Sequence, residues 1–342
     1  MPAGALTSVG IGDDSAVVTT PSGSVVAAVD LLIEGRHFRR EWSSARDVGI
    51  KAAARSLADI AAMGAVNTAL LVALATPGTL PARWAVDLAE GLAAEATRAG
   101  AGVVGGDTAR AETVTLSVTA LGDLEGRRPL LRSGARPGDM IAVAGTLGHA
   151  AAGLALLSAG VLRPSSTGAV STPPSPLSSA VPSSPDALSS LIAAQLRPAP
   201  PYDAGPEAAH LGATAMIDIS DGLLADLGHV ATASGVRINV DSSRLAPGTA
   251  LLAAAASLLH ADSPGPAGPG GSQAAGAGEI TPSAMALEWV LTGGEDHSLV
   301  AAFPPATTLP ARWHVIGEAL PGSGVTVDNL PREGPSGWQH FR

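Results

Sequence analysis

The sequence is poor in several residue types, and each shortage excludes a class of protein. It contains no cysteine, which excludes disulfides, thiolate metal ligands and cysteine nucleophiles. No apolar run approaches the roughly 20 residues that a transmembrane helix requires. The N-terminus lacks the basic start, apolar segment and cleavage site of a signal peptide. We therefore expect a cytoplasmic protein without a membrane partner.

Positive charge is scarce as well. The chain has 20 basic against 30 acidic residues, a formal net charge of −10, and no basic cluster of the kind that nucleic-acid binding needs. Lys51 is the only lysine, and no glycine-rich loop precedes it, which excludes a Walker-type phosphate loop. If the protein handles phosphate groups, metal ions and arginine must supply the positive charge.

The apolar segments predict an α/β fold with mixed (α+β) sheets. Hydrophobic residues make up 46% of the chain and aromatic residues only 3%, so small aliphatic side chains must fill the core. The first part of the chain has strand patterns over residues 15–18, 24–30, 68–73, 102–105 and 113–121, and helical patterns over residues 46–65 and 80–100. Strands and helices in this order are typical of mixed sheets.

We predict two domains, residues 1–125 and residues 126–342. The second has strand patterns over residues 140–145, 213–219 and 236–241, helical patterns over residues 149–160, 222–234 and 248–260, and a closing set of short strands. Two stretches rich in Ser, Pro, Gly and Ala, at about residues 158–190 and 261–282, are predicted to be low-complexity insertions.

Acidic residues recur at the ends of apolar segments, often beside glycines, where the backbone can approach a ligand closely. Each has a simpler alternative: an aspartate in a turn can satisfy local amides, Asp221 can cap the helix that follows, and Asp59 can pair with Arg55. Asp30 is expected to end a strand and Asp107 to follow one. The full set of these acidic residues is Asp13, Asp14, Asp30, Asp59, Asp107, Asp218, Asp221, Glu295 and Asp296.

Together these carboxylates favour one shared cation over many unrelated turns. Asp59 argues for it most strongly, because Leu57 and Ile60 predict an apolar helix face and a buried unpaired carboxylate is costly. Oxygen ligands without cysteine indicate Mg²⁺ or a similar hard cation, which usually also binds substrate phosphates. A nucleoside triphosphate is therefore expected. Residues 145–148, a glycine-containing turn before a helix, could offer backbone N–H groups to an anion, but this motif alone favours a plain strand-to-helix turn.

Eight motifs in a fixed order are more specific than any of them alone. They are GIGDDSAVV, VDLLIEGRHF, KAAARSLADIAAMGA, GGDT, RSGARPGD, IDISDGLLADLGH, LTGGED and GWQHF. As a set they resemble the thiamine-monophosphate kinase family, which belongs to the superfamily of aminoimidazole ribonucleotide synthetase, selenophosphate synthetase and hydrogenase-maturation proteins. The resemblance covers nearly the whole chain apart from the two insertions.

The resemblance implies ATP-dependent phosphorylation of thiamine monophosphate to thiamine diphosphate, assisted by several Mg²⁺ ions. It also implies a homodimer whose N-terminal domains, which bind ATP and Mg²⁺, pair through their sheets. By similarity Asp30, Asp59 and Asp221 are catalytic, and thiamine monophosphate contacts His37, Glu295 and Trp338. ATP would contact Gly106, Asp107, Arg132 and Ser220. The implied metal ligands are Asp14, Asp30, Asp59, Asp107, Asp218 and Asp221.

Two alternatives stay open at this point. One is another ATP-dependent synthetase of the same superfamily, although a selenophosphate synthetase would carry a reactive Cys or Sec and an N-terminal Lys. The other is a catalytically silent Mg-nucleotide-binding regulator, since Ala28 and Val29 stand where the family usually has hydroxyl residues. The motifs GGED and GWQHF favour the kinase.

Overall fold

A computed structural model gives the fold of the chain. The structure describes residues 6–9, 17–161, 163–164, 170–171, 185–261, 280–332, 334 and 336–338. Asp13 and Asp14 therefore lie outside the described residues. No helix within these ranges is both long enough and apolar enough to cross a membrane.

The first part of the chain forms a four-stranded sheet and two helices. The sheet has the strand order β3-β6-β4-β5, in which β4 and β5 are parallel and the other neighbours antiparallel. A short ladder of β1 and β2 lies beside it. The elements are β1 (Thr7–Val9), β2 (Val17–Val18), β3 (Val26–Ile33), α1 (Ala45–Ala62), β4 (Val66–Thr76), α2 (Ala82–Arg98), β5 (Gly102–Arg110) and β6 (Thr115–Asp123).

Helix α1 has well-defined local signals at both ends. Ser44 and Asp47 form a capping box, in which each side chain accepts a hydrogen bond from the other residue's backbone N–H. Gly64 takes φ +73° just beyond the last turn, a conformation that glycine adopts at little cost. Between these ends most residues are buried, because α1 packs against α2 and contacts strands of both sheets.

The second part forms a seven-stranded sheet of order β10-β12-β7-β13-β11-β14-β15, with a separate pair, β8 and β9. Its strands are β7 (Met140–Ala144), β8 (Arg163–Pro164), β9 (Val170–Ser171), β10 (Ala215–Ile219), β11 (Arg237–Val240), β12 (Ser298–Phe303), β13 (Trp313–Leu320), β14 (Gly324–Val327) and β15 (Leu330–Pro331). Its helices are α3 (His149–Ser158), α4 (Pro185–Leu196), α5 (Ala204–His210), α6 (Leu223–Ser234), a 3₁₀ turn (Ser242–Leu245), α7 (Thr249–Ala261) and α8 (Pro282–Thr292).

The seven-stranded sheet separates two hydrophobic clusters. One face, with Ile141, Val143 and Ile217, packs on α3, α4, α6, α7 and α8. The opposite face, with Ala142 and Met216, joins the cluster that contains α1 and the inner face of the four-stranded sheet. Alternate residues of each central strand therefore face different layers, and helix α1 lies between the two sheets.

The mixed α/β fold is confirmed, and several boundaries differ from the predictions. Strand β3 continues past Asp30 to Ile33, so Asp30 lies within the strand opposite Val118. Strand β5 continues to Arg110 and includes Asp107, which pairs with Ala73. In β3 the apolar sequence itself resumes after Asp30 with Leu31, Leu32 and Ile33. In β5 the apolar pattern stops earlier, and β4 supplies the backbone partners beyond that point. Helices α5 and α8 were not predicted, and α4 begins inside the segment interpreted as the first insertion.

Candidate active site

A cavity of about 850 Å³ lies where the two parts of the chain meet. Its wall comes from β3, the loop that follows β3, helix α1, the end of β10 and the segment before β12. It brings together eight of the predicted site residues: Asp30, His37, Asp59, Asp218, Ser220, Asp221, Glu295 and Trp338. Residues more than 250 positions apart in the sequence therefore share one chamber.

The alternation of side chains along β3 and β10 directs two of the aspartates towards α1. In β3 the residues of even number face inward, which places Asp30 on the same side as the buried Leu32. The Asp30 carboxylate accepts a hydrogen bond of 3.0 Å from the Ser56 hydroxyl on α1. In β10, Asp218 shares its face with Met216, which belongs to the cluster around α1. Both carboxylates thereby approach the same helix from different sheets.

Asp59 on α1 lies close to both of these carboxylates. Burial raises the pKa of Asp59 well above its usual range, and the negative charges of Asp218 and Asp30 raise it further. Arg55 and Arg132 oppose this rise without cancelling it. The protein alone thus leaves an excess of negative charge at this point of the cavity.

That excess fits a bound cation. Among the described residues, no three acidic or histidine side chains are close enough to form a complete metal site by themselves. Mg²⁺ commonly binds through one or two carboxylates and completes its shell with water and phosphate oxygens. The oxygen-only donors Asp30, Asp59 and Asp218, with the raised pKa of Asp59, suit such an incomplete protein site.

Helix α1 carries a polar stripe that the sequence interpretation missed. Asp47, Lys51, Arg55 and Asp59 follow one another at four-residue spacing and so lie on one side of the helix. Asp47 accepts a hydrogen bond of 2.7 Å from the Arg197 guanidinium, which belongs to the second part of the chain. The spacing of these charges was visible in the sequence and could have identified the stripe.

The single lysine is part of the site. The Lys51 side chain is only 3% exposed, and its Nζ lies 2.9 Å from Glu295 Oε2. Arg55 Nη1 lies 2.7 Å from Glu295 Oε1, and its Nη2 lies 3.9 Å from Asp30. Burial alone would raise the pKa of Glu295, but Lys51 and Arg55 hold that pKa well below its usual range. Glu295 is therefore firmly ionised.

His37 is held in a defined orientation beside this pair. Its Nδ1 accepts a hydrogen bond of 3.0 Å from the Ile33 backbone N–H, so Nε2 carries the hydrogen of the neutral ring. Burial and the charge of Arg55 lower the pKa of His37. His37 is thus a neutral hydrogen-bond donor at the cavity wall.

Two tight turns hold the remaining cavity residues. The backbone N–H of Glu295 donates to Ser220 O, and that of Trp338 donates to Asp221 O, each at 2.9 Å. A Cβ atom at Gly294 would overlap the Ser220 carbonyl oxygen, so only glycine allows the turns to pack this closely. The bond to Asp221 holds the Trp338 backbone, and the exposed Trp338 side chain lines the cavity.

Asp226 supports the turn at residues 220–222 from behind, and Asp296 supports the turn before α3. Asp226 Oδ2 accepts hydrogen bonds of 3.1 Å from three successive backbone N–H groups, those of Ser220, Asp221 and Gly222. Burial raises the pKa of Asp226 to about 7, with further contributions from Asp218 and Asp221. Neither residue lines the cavity.

The candidate anion site at residues 145–148 is already occupied by the protein. Asp296 accepts hydrogen bonds from the N–H groups of Gly148, at 2.6 Å, and Ala150, at 3.0 Å. It therefore caps helix α3, and burial raises its pKa to about 7. The turn before α3 uses these N–H groups within the fold, which agrees with a plain strand-to-helix turn and not with an external anion site.

Three predicted ATP-binding residues lie outside the cavity. Gly106 and Asp107 are on the edge strand β5, and Asp107 is exposed in a small depression shared with Ala73 and Ser117. A Cβ atom at Gly106 would overlap the Val72 carbonyl oxygen, which explains the glycine. Arg132 is exposed but close enough to Asp59 to lower its pKa. The predicted ligand Asp14 lies outside the described residues.

Comparison with known proteins agrees with this arrangement. Residues 12–124 match the family described as AIR synthase related protein, N-terminal domain. The thiamine-monophosphate kinase of Mycobacterium tuberculosis is 43% identical over 333 residues, which cover 97% of this chain and 85% of that protein. The thiamine-monophosphate kinase of Corynebacterium glutamicum is 35% identical over 337 residues, which cover 96% of this chain and 88% of that protein.

Solved structures extend the similarity to the whole fold. The thiamine-monophosphate kinase from Stenotrophomonas maltophilia K279a superposes with a TM-score of 0.75 at 31% identity, over 95% of this chain and 92% of that one. A complex of AaThiL with AMPPCP and TMP superposes with a TM-score of 0.75 at 30% identity, over 97% of this chain and 92% of that one. By identity and coverage together, this chain belongs to the thiamine-monophosphate kinase family.

Proposed function

We propose that this chain transfers the γ-phosphoryl group of ATP to thiamine monophosphate and so forms thiamine diphosphate. The observation that carries the proposal is the cavity itself, where aspartates from both sheets and α1 meet beside the ionised Glu295. The activity named for the similar proteins, and the nucleotide analogue and TMP bound to one of them, support the same reaction.

The reaction depends more on screening the negative charges of its two substrates than on a strong base. The acceptor is a phosphate monoester with a second pKa of about 6, so it is largely a dianion near neutral pH. Mg²⁺ would screen the repulsion between this dianion and ATP and stabilise in-line transfer. Of the metal ligands that the resemblance implies, Asp30, Asp59, Asp218 and Asp221 line the cavity and would hold such ions there, whereas Asp107 lies on β5 outside it. Asp30 is oriented for this role by Ser56.

The thiamine side of the site would use Glu295, Trp338 and His37, which line the same cavity. The ionised Glu295 and the aromatic face of Trp338 both suit a cationic thiazolium ring. Because its Nδ1 accepts from the Ile33 N–H, His37 can donate through Nε2 to a polar group of the substrate. Lys51 and Arg55 balance Glu295, so the cavity wall is not uniformly negative.

ATP is proposed to extend from the cavity towards strand β5. Leu31, Ser117, Ala73 and Asp107 are successive neighbours across the sheet, and the first two also line the cavity. Ser220 lies at the cavity end of this path, whereas Gly106 and Asp107 lie at the other.

The division into domains at residue 125 and a cytoplasmic location remain predictions.

We further propose a homodimer that pairs through the four-stranded sheet. The outward face of β3 exposes Val29 and Leu31, at 64% and 52%, and Leu71 continues this apolar surface on β4. The proposed ATP path begins at Leu31 on the same face, so ATP would bind beside the dimer interface. An exposed group of large aliphatic side chains on a sheet is typical of a protein interface. Within the described part of the chain, β3 and β5 are the two edge strands of this sheet.

The reaction is tested with purified protein, ATP, Mg²⁺ and thiamine monophosphate, with separation of the thiamine esters by chromatography. The proposal predicts thiamine diphosphate and ADP in equal amounts, and none without Mg²⁺. Binding of ATP without any thiamine diphosphate would instead identify a regulator. Turnover of ATP with another acceptor would identify a different synthetase of the superfamily. Asp30→Asn serves as the control that removes activity.

A further inference from the structure

His297 has no role in the reaction as described so far, yet it lines the cavity. It follows directly after the Glu295 and Asp296 pair. Its backbone takes φ +52° and its N–H donates a hydrogen bond of 2.9 Å to Ile219 O. A left-handed conformation is costly for a residue with a side chain and persists only where its surroundings enforce it. The fold thus holds this imidazole in a defined place.

The imidazole contacts one of the aspartates implied as metal ligands. His297 Nδ1 lies 3.2 Å from Asp218 Oδ2, and the two side chains are only 3% and 6% exposed. Because an ionised carboxylate can only accept hydrogen bonds, Nδ1 carries the hydrogen and donates it. One carboxylate oxygen of Asp218 is therefore engaged by the ring, which leaves the other free to face a cation.

The second ring nitrogen distinguishes His297 from a histidine kept for packing. Its Nε2 is buried and has no hydrogen-bond partner within the described part of the chain. Buried polar atoms of folded proteins are usually paired. The fold therefore retains a polar ring at the cavity wall although it satisfies only one of the two nitrogens.

We propose that His297 is a positioning residue, which holds the Asp218 carboxylate through its Nδ1–H in the orientation needed for cation binding. The inference rests on the metal-assisted reaction proposed above. Partners that orient a ligand in this way typically change metal affinity by about 10-fold to 100-fold when they are removed. The role requires a donor at the position of Nδ1 and makes no demand on Nε2.

Two variants separate this role from packing. In His297→Asn the side-chain amide can place an N–H near the position of Nδ1, whereas the longer His297→Gln places it near Nε2. Binding of Mn²⁺ alone is measured by electron paramagnetic resonance, and the Mg²⁺ concentration at half-maximal rate is measured with both substrates. His314→Asn and His314→Gln, at an exposed site on β13, are the matched controls.

We expect His297→Gln to raise the Mn²⁺ dissociation constant by about 10-fold or more, and His297→Asn to stay near the parent value. The KM for thiamine monophosphate should remain unchanged in both. Equal Mn²⁺ affinity in both variants and the parent would overturn the inference, as would equal losses in Asn and Gln variants. If the parent binds Mn²⁺ but forms no thiamine diphosphate, the proposed reaction fails while the role of His297 in cation binding stands.

Discussion

Replacement of Lys51 by methionine tests the central ion pair of the cavity. Methionine retains much of the aliphatic bulk and removes only the ammonium group, whose Nζ lies 2.9 Å from Glu295 Oε2 and also donates to Gln195 O at 3.1 Å. The change therefore leaves the packing of α1 largely intact. It isolates the contribution of one positive charge to the junction between the two parts of the chain.

The structure sets the expected size of the effect. Removing one partner of a fully buried pair costs about 3–5 kcal/mol, because the other charge stays buried without compensation. Glu295 is 28% exposed and keeps Arg55 at 2.7 Å, so its charge remains partly balanced. We therefore expect Lys51→Met to lower the free energy of unfolding by about 2 kcal/mol.

Equilibrium unfolding in urea measures this loss, with Arg83→Met as the control. Arg83 forms an exposed pair with Asp87 at 2.7 Å on α2, for which about 0.3–0.5 kcal/mol is expected. In the double variant Lys51→Met with Glu295→Gln, the destabilising charge is gone. The two changes should therefore be non-additive by about 1 kcal/mol or more.

The reasoning would be refuted by either of two outcomes. Lys51→Met could cost no more than Arg83→Met, which would mean that water replaces the ammonium group freely. Alternatively, the losses of the Lys51 and Glu295 variants could simply add, which would mean that the two groups do not stabilise each other.

Three further predictions concern the site and the dimer. Asp59→Asn should abolish turnover. Because folding raises the pKa of Asp59, the metal-free parent loses stability as pH rises from about 4 towards neutrality, and the Asn variant should not lose it. Urea unfolding at several pH values checks this, and a pH-independent difference would contradict it. Trp338→Ala should raise the KM for thiamine monophosphate by about 2-fold to 30-fold with little change in kcat, whereas a loss confined to kcat in steady-state assays would argue against stacking. Leu31→Asp on the exposed face of β3 should halve the mass found by light scattering, and an unchanged mass would place the interface elsewhere.

Sequence patterns predicted the elements whose signals are local. The helix over residues 46–65 was expected from its apolar spacing, and the capping box of Ser44 and Asp47 fixes its start in the structure. Helix α8 also has local signals that could have been used: Thr281 accepts a hydrogen bond from the Ala284 N–H, and Pro282 follows it in the first turn. The glycine-rich sequence before α8 was interpreted as part of an insertion, so the start of this helix was overlooked.

Features that depend on distant residues could not be predicted in this way. Arg55 and Glu295 are 240 positions apart, and nothing in either motif indicates that they meet. Likewise, the turn at residues 145–148 suggested an anion site because its capping carboxylate, Asp296, comes from a remote segment. Asp107 was expected to follow a strand, but pairing with β4 extends that strand through it. Tertiary partners decide these cases, not local propensity.

Phosphorus NMR of a single reaction mixture tests the proposed transfer most directly. The mixture contains the protein, Mg²⁺, ATP and thiamine monophosphate. The account predicts that the monoester signal of thiamine monophosphate is replaced by the two coupled signals of thiamine diphosphate, in step with the appearance of ADP. A thiamine monophosphate signal that persists while inorganic phosphate accumulates would contradict the account, because the γ-phosphoryl group would then have passed to water.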